Sequence, residues 1–292
     1  MSVAALASRP SRTIIAWRPI LLVGVPAAFL LFCFVLPNAF LLTSSAFKSE
    51  SQVLTNQLTT ENYGFLLGRA VYRGAILRTF LIGALVGLLV VVLSYPLAFF
   101  LARTRSRWKG ALIALSLSPL LASVVVRTYG WWVLLNREGA VNDLLRATGI
   151  TSQSLPLLPS VGAIVIGLTH SLLPYGVLTI LSSLNGVNPS FEKAAMSLGA
   201  NRIRTFFEVT LPLSLPGIVG AFVIAFTLSI SAYATPAILG GPSTATMATL
   251  IYDFMTSLAD WALGSAMGAL LIVSSMVLLV IGAVLGSKRE AL

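Results

Sequence analysis

The stretch EKAAMSLGANRIRTFFEVTLP, from Glu192 to Pro212, separates two long hydrophobic runs in a very apolar chain. It is polar, it carries Arg202 and Arg204, and it is rich in helix-forming residues. A chain that lies mostly in a membrane has little use for such an insert unless a water-soluble partner contacts it. The stretch therefore predicts a loop that is presented to a soluble protein.

Composition sets the class of protein. Apolar residues make up 57% of the 292 residues, and charged residues only 10%. Soluble domains carry about 25% charged residues, so the chain is predicted to be a membrane protein. Its polar segments are all shorter than the roughly 50 residues that a soluble catalytic domain needs. The net charge of +10 comes from short basic clusters beside apolar runs, which indicates membrane topology rather than nucleic-acid binding.

Six apolar runs are long enough to cross a bilayer as helices, which takes roughly 20 residues each. The predicted fold is therefore an all-α membrane protein with six transmembrane helices, at residues 20–46, 75–101, 110–135, 159–183, 213–239 and 263–286. Residues 1–19 are a basic N-terminus, 184–212 the polar loop and 287–292 a short tail. The first run is too long for the core of a cleavable signal peptide, so it is predicted to remain as a span.

The distribution of basic residues predicts the orientation. Lys and Arg collect in the N-terminus, in the connection 102–109, in the polar loop and in the tail. The intervening connections carry fewer, and 240–262 carries none. Because cytoplasmic loops are enriched in Lys and Arg, both termini and the loop 184–212 are predicted to be cytoplasmic.

Several kinds of site are excluded by residue type. No GxxxxGK[ST] sequence is present, so the chain cannot bind ATP through a P-loop. His170 is the only histidine and Cys33 the only cysteine, which leaves no His-based catalytic cluster and no metal site of the His or Cys type. No carboxylate lies in the middle of a predicted span. This argues against an ion-coupled secondary transporter, the alternative from another functional class.

The polar loop contains the signals of two short helices. Asn188 can cap the free N–H groups of the first helix, and Pro189 suits its first position. That helix is predicted over Phe191–Leu198 and ends at Gly199, which readily adopts a left-handed conformation. Asn201 can cap a second helix that leads into the next span. A rigid projection of this kind would transmit displacement to the span; the alternative is a helix that only rests at the lipid surface.

The loop also contains the pattern A-A-x-x-x-G, nine residues, an aliphatic residue, one residue and L-P, at Ala194-Ala195, Gly199, Val209 and Leu211-Pro212. This pattern resembles the cytoplasmic coupling loop in permease subunits of ATP-binding-cassette (ABC) importers. The segments 118–145, 160–200 and 211–241 resemble the polyamine (spermidine/putrescine) permease group within that family. Permeases for phosphonate, opines or ferric iron share much of the pattern, so other small solutes stay open.

The resemblance implies a type I importer permease in the bacterial inner membrane, which is not itself an enzyme. Its implied partners are a second, different permease subunit, two cytoplasmic ABC ATPases, an external solute-binding protein and membrane lipid, with no nucleic acid. No cofactor would be bound by this chain, because ATP and Mg are used by the ATPases. Closure of the ATPase pair would push the coupling loop and switch the helices from outward-open to inward-open.

By the same resemblance, the residues expected to couple the chain to the ATPase are Phe191, Glu192, Lys193, Ala194, Ala195, Leu198, Gly199 and Arg202. The two alanines provide a small surface on which a partner can close, and Phe191 and Leu198 provide apolar anchors. The family usually has Glu immediately before the two alanines, where this chain has Lys193. Either Glu192, one residue earlier, replaces that glutamate, or the contact is made differently.

Polar and aromatic groups within spans are expected to be functional where they face a cavity. The candidates for the solute pathway are Tyr129, Trp131, Trp132, Tyr175, Ser229, Tyr233 and Asp253. His170, Ser231 and Asp260 are further candidates. The two aspartates lie near the outer face, where they could attract a cation.

Each of these side chains also has a structural interpretation. Trp131 and Trp132 could form part of an interfacial aromatic belt, and His170 could be a packed, hydrogen-bonded helix histidine. The serine hydroxyls could bond to their own helix backbone. Arg127 is expected to snorkel outward or to pair structurally rather than to contact solute.

Overall fold

The computed structural model describes residues 17–50 and 53–287. Most of the predicted N-terminus and residues 288–292 of the tail lie outside the described residues. The cytoplasmic location of the two termini therefore remains a prediction.

Helices dominate the described part of the chain, which confirms the predicted fold class. The helices are α1 (Trp17–Ser45), α2 (Glu61–Gly68), α3 (Ala70–Arg103), α4 (Lys109–Leu121), α5 (Val124–Leu135), α6 (Ala140–Ala147), α7 (Val161–Gly186), α8 (Pro189–Ser197), α9 (Arg202–Thr205), α10 (Leu211–Leu213), α11 (Leu215–Ile230), α12 (Ala234–Leu239), α13 (Met247–Tyr252) and α14 (Trp261–Ser287). Wider π-turns cover Phe206–Thr210 and Asp253–Ser257, and a tighter 3₁₀ turn covers Pro242–Thr244.

A two-stranded β-hairpin follows α1, which the sequence analysis did not predict. Strand β1 (Phe47–Glu50) pairs antiparallel with β2 (Val53–Leu58). The side chain of Asn62 in α2 donates to the backbone oxygens of Ser45 and Phe47, each at 2.9 Å. Strands of four and six residues carry little periodic signal in a sequence. A side chain distant in sequence holds the start of the hairpin in place.

Four helices in the described part of the chain are individually long and apolar enough to cross a membrane, namely α1, α3, α7 and α14. If each of two bent helix pairs is counted as one span, the number of candidate spans rises to six. One pair, Lys109–Leu121 with Val124–Ala147, bends by 93°. The other, Arg202–Leu213 with Leu215–Ile230, bends by 62°.

The predicted spans 110–135 and 213–239 are therefore not straight helices. The first divides into α4 and α5 at Ala122 and Ser123, whose backbones are extended, with ψ of 142° and 137°. The second ends as a helix at Ile230, and α12 resumes after Tyr233. Both interruptions leave helix ends inside the bundle, where backbone groups can face a cavity.

The centre of the bundle is formed by α3, α7 and α11. A Cβ built on Gly176 of α7 would lie 2.5 Å from Val90 Cγ1 of α3. A Cβ built on Gly217 of α11 would lie 2.3 Å from Ser183 Cβ of α7. Small residues allow membrane helices to approach closely, so these contacts join the three helices into one packed unit.

Candidate functional site

The helix α8 begins and ends beside the capping residues that the sequence predicts. The Asn188 side chain accepts a hydrogen bond from Ser190 N at 2.9 Å, and Pro189 occupies the first helical position. The helix ends at Ser197, and Gly199 follows with φ of 91°. The predicted caps are confirmed. Glycine is favoured at Gly199 because other residues rarely adopt this left-handed conformation.

The second helix of the loop also begins as predicted. The Asn201 side chain accepts from Arg204 N at 2.8 Å, and Arg204 forms an exposed ion pair with Glu208 at 2.9 Å. The helix continues through the π-turn Phe206–Thr210 and α10, and bends at Ser214 into α11. The polar loop therefore passes into a membrane span with no flexible linker.

The carboxylate of Glu192 is held inside the chain. Its Oε1 atom accepts hydrogen bonds from Arg103 Nη2 at 2.6 Å, from Arg103 Nε at 3.2 Å and from Thr210 Oγ1 at 3.0 Å. Only 17% of the Glu192 side chain is exposed. This arrangement, the Glu192 clamp, ties α8 to the end of α3 and to the π-turn that precedes α10. Lys193, at the usual glutamate position, is exposed.

An aromatic cluster connects the same segment to the bundle. The Phe206 ring lies edge-on to Tyr95 at 5.6 Å and to Phe99 at 5.7 Å between ring centroids. The hydroxyls of Tyr95 and Ser214 are 3.0 Å apart, and Ser183 Oγ donates to Ser214 O at 3.5 Å. Since Tyr95 belongs to α3 and Ser183 to α7, the bend at Ser214 is fixed to both helices.

The tip of the loop exposes apolar side chains. Leu198 is 89% and Phe191 54% exposed, and Ala194 and Arg202 are also exposed, whereas Ala195 is half-buried. Three further exposed apolar residues, which the sequence analysis missed, are Met196, Ile203 and Phe207. The four-residue spacing of the last two is a helical signal that could have been found in the sequence. Exposed apolar residues on a polar loop mark a surface for a protein partner or for lipid.

Two cavities lie toward the end of the bundle opposite α8. The bend cavity, about 380 Å³, lies at the interruptions of both bent spans and is lined by Leu120, Ala122, Val124, Arg127, Leu168, Ser171, Leu172, Tyr175, Leu228, Ala232, Tyr233, Ala234 and Thr235. The mouth cavity, about 360 Å³, is lined by Tyr233, Pro236, Ala237, Gly241, Pro242, Ala245, Thr249 and Asp253. Tyr233 lines both. These volumes are at the low end of those of ligand pockets, roughly 300–1,000 Å³.

Some of the predicted pathway residues line these cavities, and others are exposed or lie in the packed core. Tyr175 and Tyr233 meet in the bend cavity, and Asp253 lies in the mouth cavity. Tyr129 and Trp132 are partly exposed on α5, at 54% and 40%. The buried Ser229 Oγ has no hydrogen-bond partner within the described part of the chain.

Other candidates have structural partners. Trp131 Nε1 donates to His170 Nδ1 at 3.2 Å, so each satisfies the other. Ser231 Oγ donates to Thr227 O at 3.1 Å, within its own helix. Asp260 accepts from Leu263 N at 3.1 Å and so caps the start of α14.

Arg127 joins the two halves of the third span. Its Nη1 donates to Pro119 O in the last turn of α4, and its side chain lines the bend cavity. A cation near the carbonyl end of a helix is favoured by the helix dipole. The expected structural pairing is therefore present. Within residues 17–50 and 53–287, no three His, Cys, Asp or Glu side chains come together as metal ligands.

Comparison with known proteins identifies the family of this chain. The family described as binding-protein-dependent transport system inner membrane component matches residues 7–290. The spermidine/putrescine transport system permease protein PotB of Escherichia coli (strain K12) is 27% identical over 262 residues, which cover 89% of this chain and 94% of that protein. The putative ferric transport system permease protein FbpB 1 of Haemophilus influenzae is 31% identical over 195 residues, covering 66% of this chain and 30% of that protein.

A solved structure has the same fold. It is the crystal structure of a bacterial ABC transporter involved in the import of the acidic polysaccharide alginate. Its matching chain superposes with a TM-score of 0.77 at 19% identity, covering 93% of this chain and 98% of that chain. The chain therefore belongs to the family of binding-protein-dependent transport system inner membrane components and is an inner-membrane permease subunit of an ABC importer.

Proposed function

We propose that α8 docks a cytoplasmic ABC ATPase and that the importer takes up polyamines of the spermidine or putrescine kind. The observation that carries the docking is the Glu192 clamp beside an exposed apolar tip. A partner that pushes Phe191 and Leu198 moves α8, and the clamp passes that movement to α3 and to the π-turn that precedes α10. A helix resting on lipid would have no need of a charged tie to two other elements.

The assembly follows from this role. The chain pairs with a second, different permease subunit, two ATPases use ATP and Mg, and an external binding protein delivers the solute. The chain itself binds no cofactor and catalyses no reaction. Binding of the loaded external protein and closure of the ATPases favour different states of the helices, which is what an alternating pathway requires.

Polyamines are supported by two observations. The relatives matched over nine-tenths of the chain are named for spermidine and putrescine. The mouth cavity contains a carboxylate, Asp253, which suits a cationic solute. A ferric transport permease is the second candidate, because a relative named for it is 31% identical over a shorter stretch.

Single-cysteine crosslinking tests the docking. Leu198→Cys in a Cys33→Ser background leaves one reactive thiol, at the exposed tip. A short crosslinker with a maleimide at one end and a photoreactive group at the other is expected to join it to the ATPase. The matched control is Leu144→Cys on α6, 65% exposed and toward the opposite end, which is expected to give no such product. No ATPase adduct from position 198, or a topology map that places α8 outside the cell, would contradict the proposal.

Uptake by the complete transporter tests the solute. Membrane vesicles supplied with the external binding protein and ATP are expected to accumulate radiolabelled spermidine or putrescine. Tight binding of ferric iron to the external protein, without polyamine uptake, would favour the second candidate instead.

A further inference from the structure

The mouth cavity combines aromatic faces with a carboxylate. Tyr233 and Tyr252 lie ring to ring, with centroids 4.6 Å apart and planes tilted by 31°. Both rings are partly exposed, at 38% and 47%. Asp253 follows Tyr252 directly and lines the cavity together with Tyr233. Tyr252 was not among the residues singled out from the sequence.

The carboxylate of Asp253 is unengaged although its backbone is fixed. Within the described part of the chain, its side chain makes no hydrogen bond or ion pair. Its backbone oxygen accepts from Leu258 N at 2.9 Å, which closes the π-turn Asp253–Ser257. The next residue, Phe254, is buried and packs on Tyr72 at 5.5 Å between ring centroids. The backbone at Asp253 is therefore fixed, while its exposed carboxylate is not neutralised by another side chain of the described residues. Single π-turns inside helices are frequent at functional sites.

The charged side chains that line the two cavities differ in sign. The bend cavity contains Arg127, which would repel a cation. Arg78 lies at the rim of the mouth cavity, where its Nη1 donates to Ala245 O at 2.7 Å, but it is not one of the lining residues. Asp253 is thus the charged side chain that lines the mouth cavity.

We infer that Tyr233, Tyr252 and Asp253 form a binding site for one primary ammonium group of the solute, at the mouth of the pathway. An ammonium group is attracted to the face of a tyrosine ring, here the outer face of Tyr233 or Tyr252, because their inner faces lie against each other. It also donates short, charge-assisted hydrogen bonds to a carboxylate. The site takes one end of a diamine or polyamine. This inference rests on the proposed polyamine function.

Equilibrium binding to the purified transporter tests the site without the external binding protein. Radiolabelled putrescine and spermidine are the probes, and uncharged 1,4-butanediol is the competitor that should have no effect. Asp253→Asn is expected to raise Kd about tenfold, the low end of what a hydrogen bond to a charged group contributes. Tyr252→Leu is expected to raise Kd about threefold, as for a partly exposed cation–π contact. Asp143→Asn, an exposed carboxylate on α6 paired with Arg146, is the matched control and should leave Kd unchanged.

The possible results distinguish a failure of the ammonium site from a failure of the proposed polyamine transport. An unchanged Kd in Asp253→Asn, while the wild-type transporter takes up polyamines, would overturn the site alone. Equal loss of binding in Asp143→Asn, or competition by butanediol, would also overturn it. If polyamine uptake is absent but polyamine binding still depends on Asp253, the ammonium site is supported and the proposed polyamine transport is contradicted.

Discussion

The two carboxylates that stand toward opposite ends of the bundle have opposite environments. Glu192, at the coupling end, accepts three hydrogen bonds from Arg103 and Thr210 and is largely shielded from solvent. Asp253, at the mouth cavity, lies beside two partly exposed tyrosines and makes no side-chain hydrogen bond among the described residues. A buried charge is retained only when it is paired, whereas a charge on a cavity wall remains open to a ligand.

Under the proposed function, this difference corresponds to force transmission at one end and solute contact at the other. A segment that is pushed by an ATPase must not yield, which suits polar groups that are satisfied within the chain. A cavity that solute enters and leaves must exchange partners, which suits a carboxylate with no internal partner. The same residue type performs either task according to what surrounds it.

The largest effect is expected from breaking the Glu192 clamp. Arg103→Leu removes the charged partner of Glu192, and uptake should fall about tenfold or more, because hydrogen bonds to charged groups contribute about 1.5–3 kcal/mol. Uptake and solute-stimulated ATP hydrolysis are measured together. Arg105→Leu, an exposed arginine two residues away, is the matched control and should transport normally. Normal uptake by Arg103→Leu would show that the clamp does not transmit force.

Packing of α11 near the coupling end can be tested with glycine substitutions. Gly217→Ala forces a Cβ to within 2.3 Å of Ser183 Cβ. It is expected to lower the free energy of unfolding by about 1–3 kcal/mol, as overpacking does. Gly110→Ala on α4, where nothing lies within 4 Å of the added Cβ, should be neutral or slightly stabilising. Equal melting temperatures of the two variants in detergent would argue against tight helix contact.

The two carboxylates can be compared directly by neutralising each one. Glu192→Gln should lower the free energy of unfolding by about 1–2 kcal/mol, because the charge-assisted hydrogen bonds of a shielded carboxylate are weakened. Asp253→Asn should change it by less than about 0.5 kcal/mol, as for an ordinary surface substitution. Thermal unfolding of the purified subunit measures both. A larger loss of stability in Asp253→Asn than in Glu192→Gln would show that Glu192 is not the more strongly bonded carboxylate.

The smallest effect is expected at Trp131. Trp131→Phe removes the donor to His170 and should cost about 0.6 kcal/mol, the average for side-chain hydrogen bonds within membrane bundles. Uptake should be unchanged, since the pair is satisfied within the protein. A severe loss of uptake with normal stability would instead place Trp131 on the solute pathway.

Local signals in the sequence predicted the coupling loop well. Asn188, Gly199 and Asn201 act through neighbours within a few residues, so helix ends can be read from the chain alone. The positions of the bends, at Ala122–Ser123 and Ser214, were not predicted, because apolar runs look alike whether straight or broken. The partner of Glu192 was also missed, since Arg103 lies 89 residues away along the chain.

Hydrophobicity and helix-end chemistry by themselves determined that this protein is a bundle of membrane helices with a capped polar projection. These properties depend on single residues and on their near neighbours in the sequence, so the sequence alone is enough to predict them. Only the tertiary structure decided which carboxylate is clamped and which faces a cavity. That outcome depends on which distant side chains reach each charge once α3, α7 and α11 have packed together.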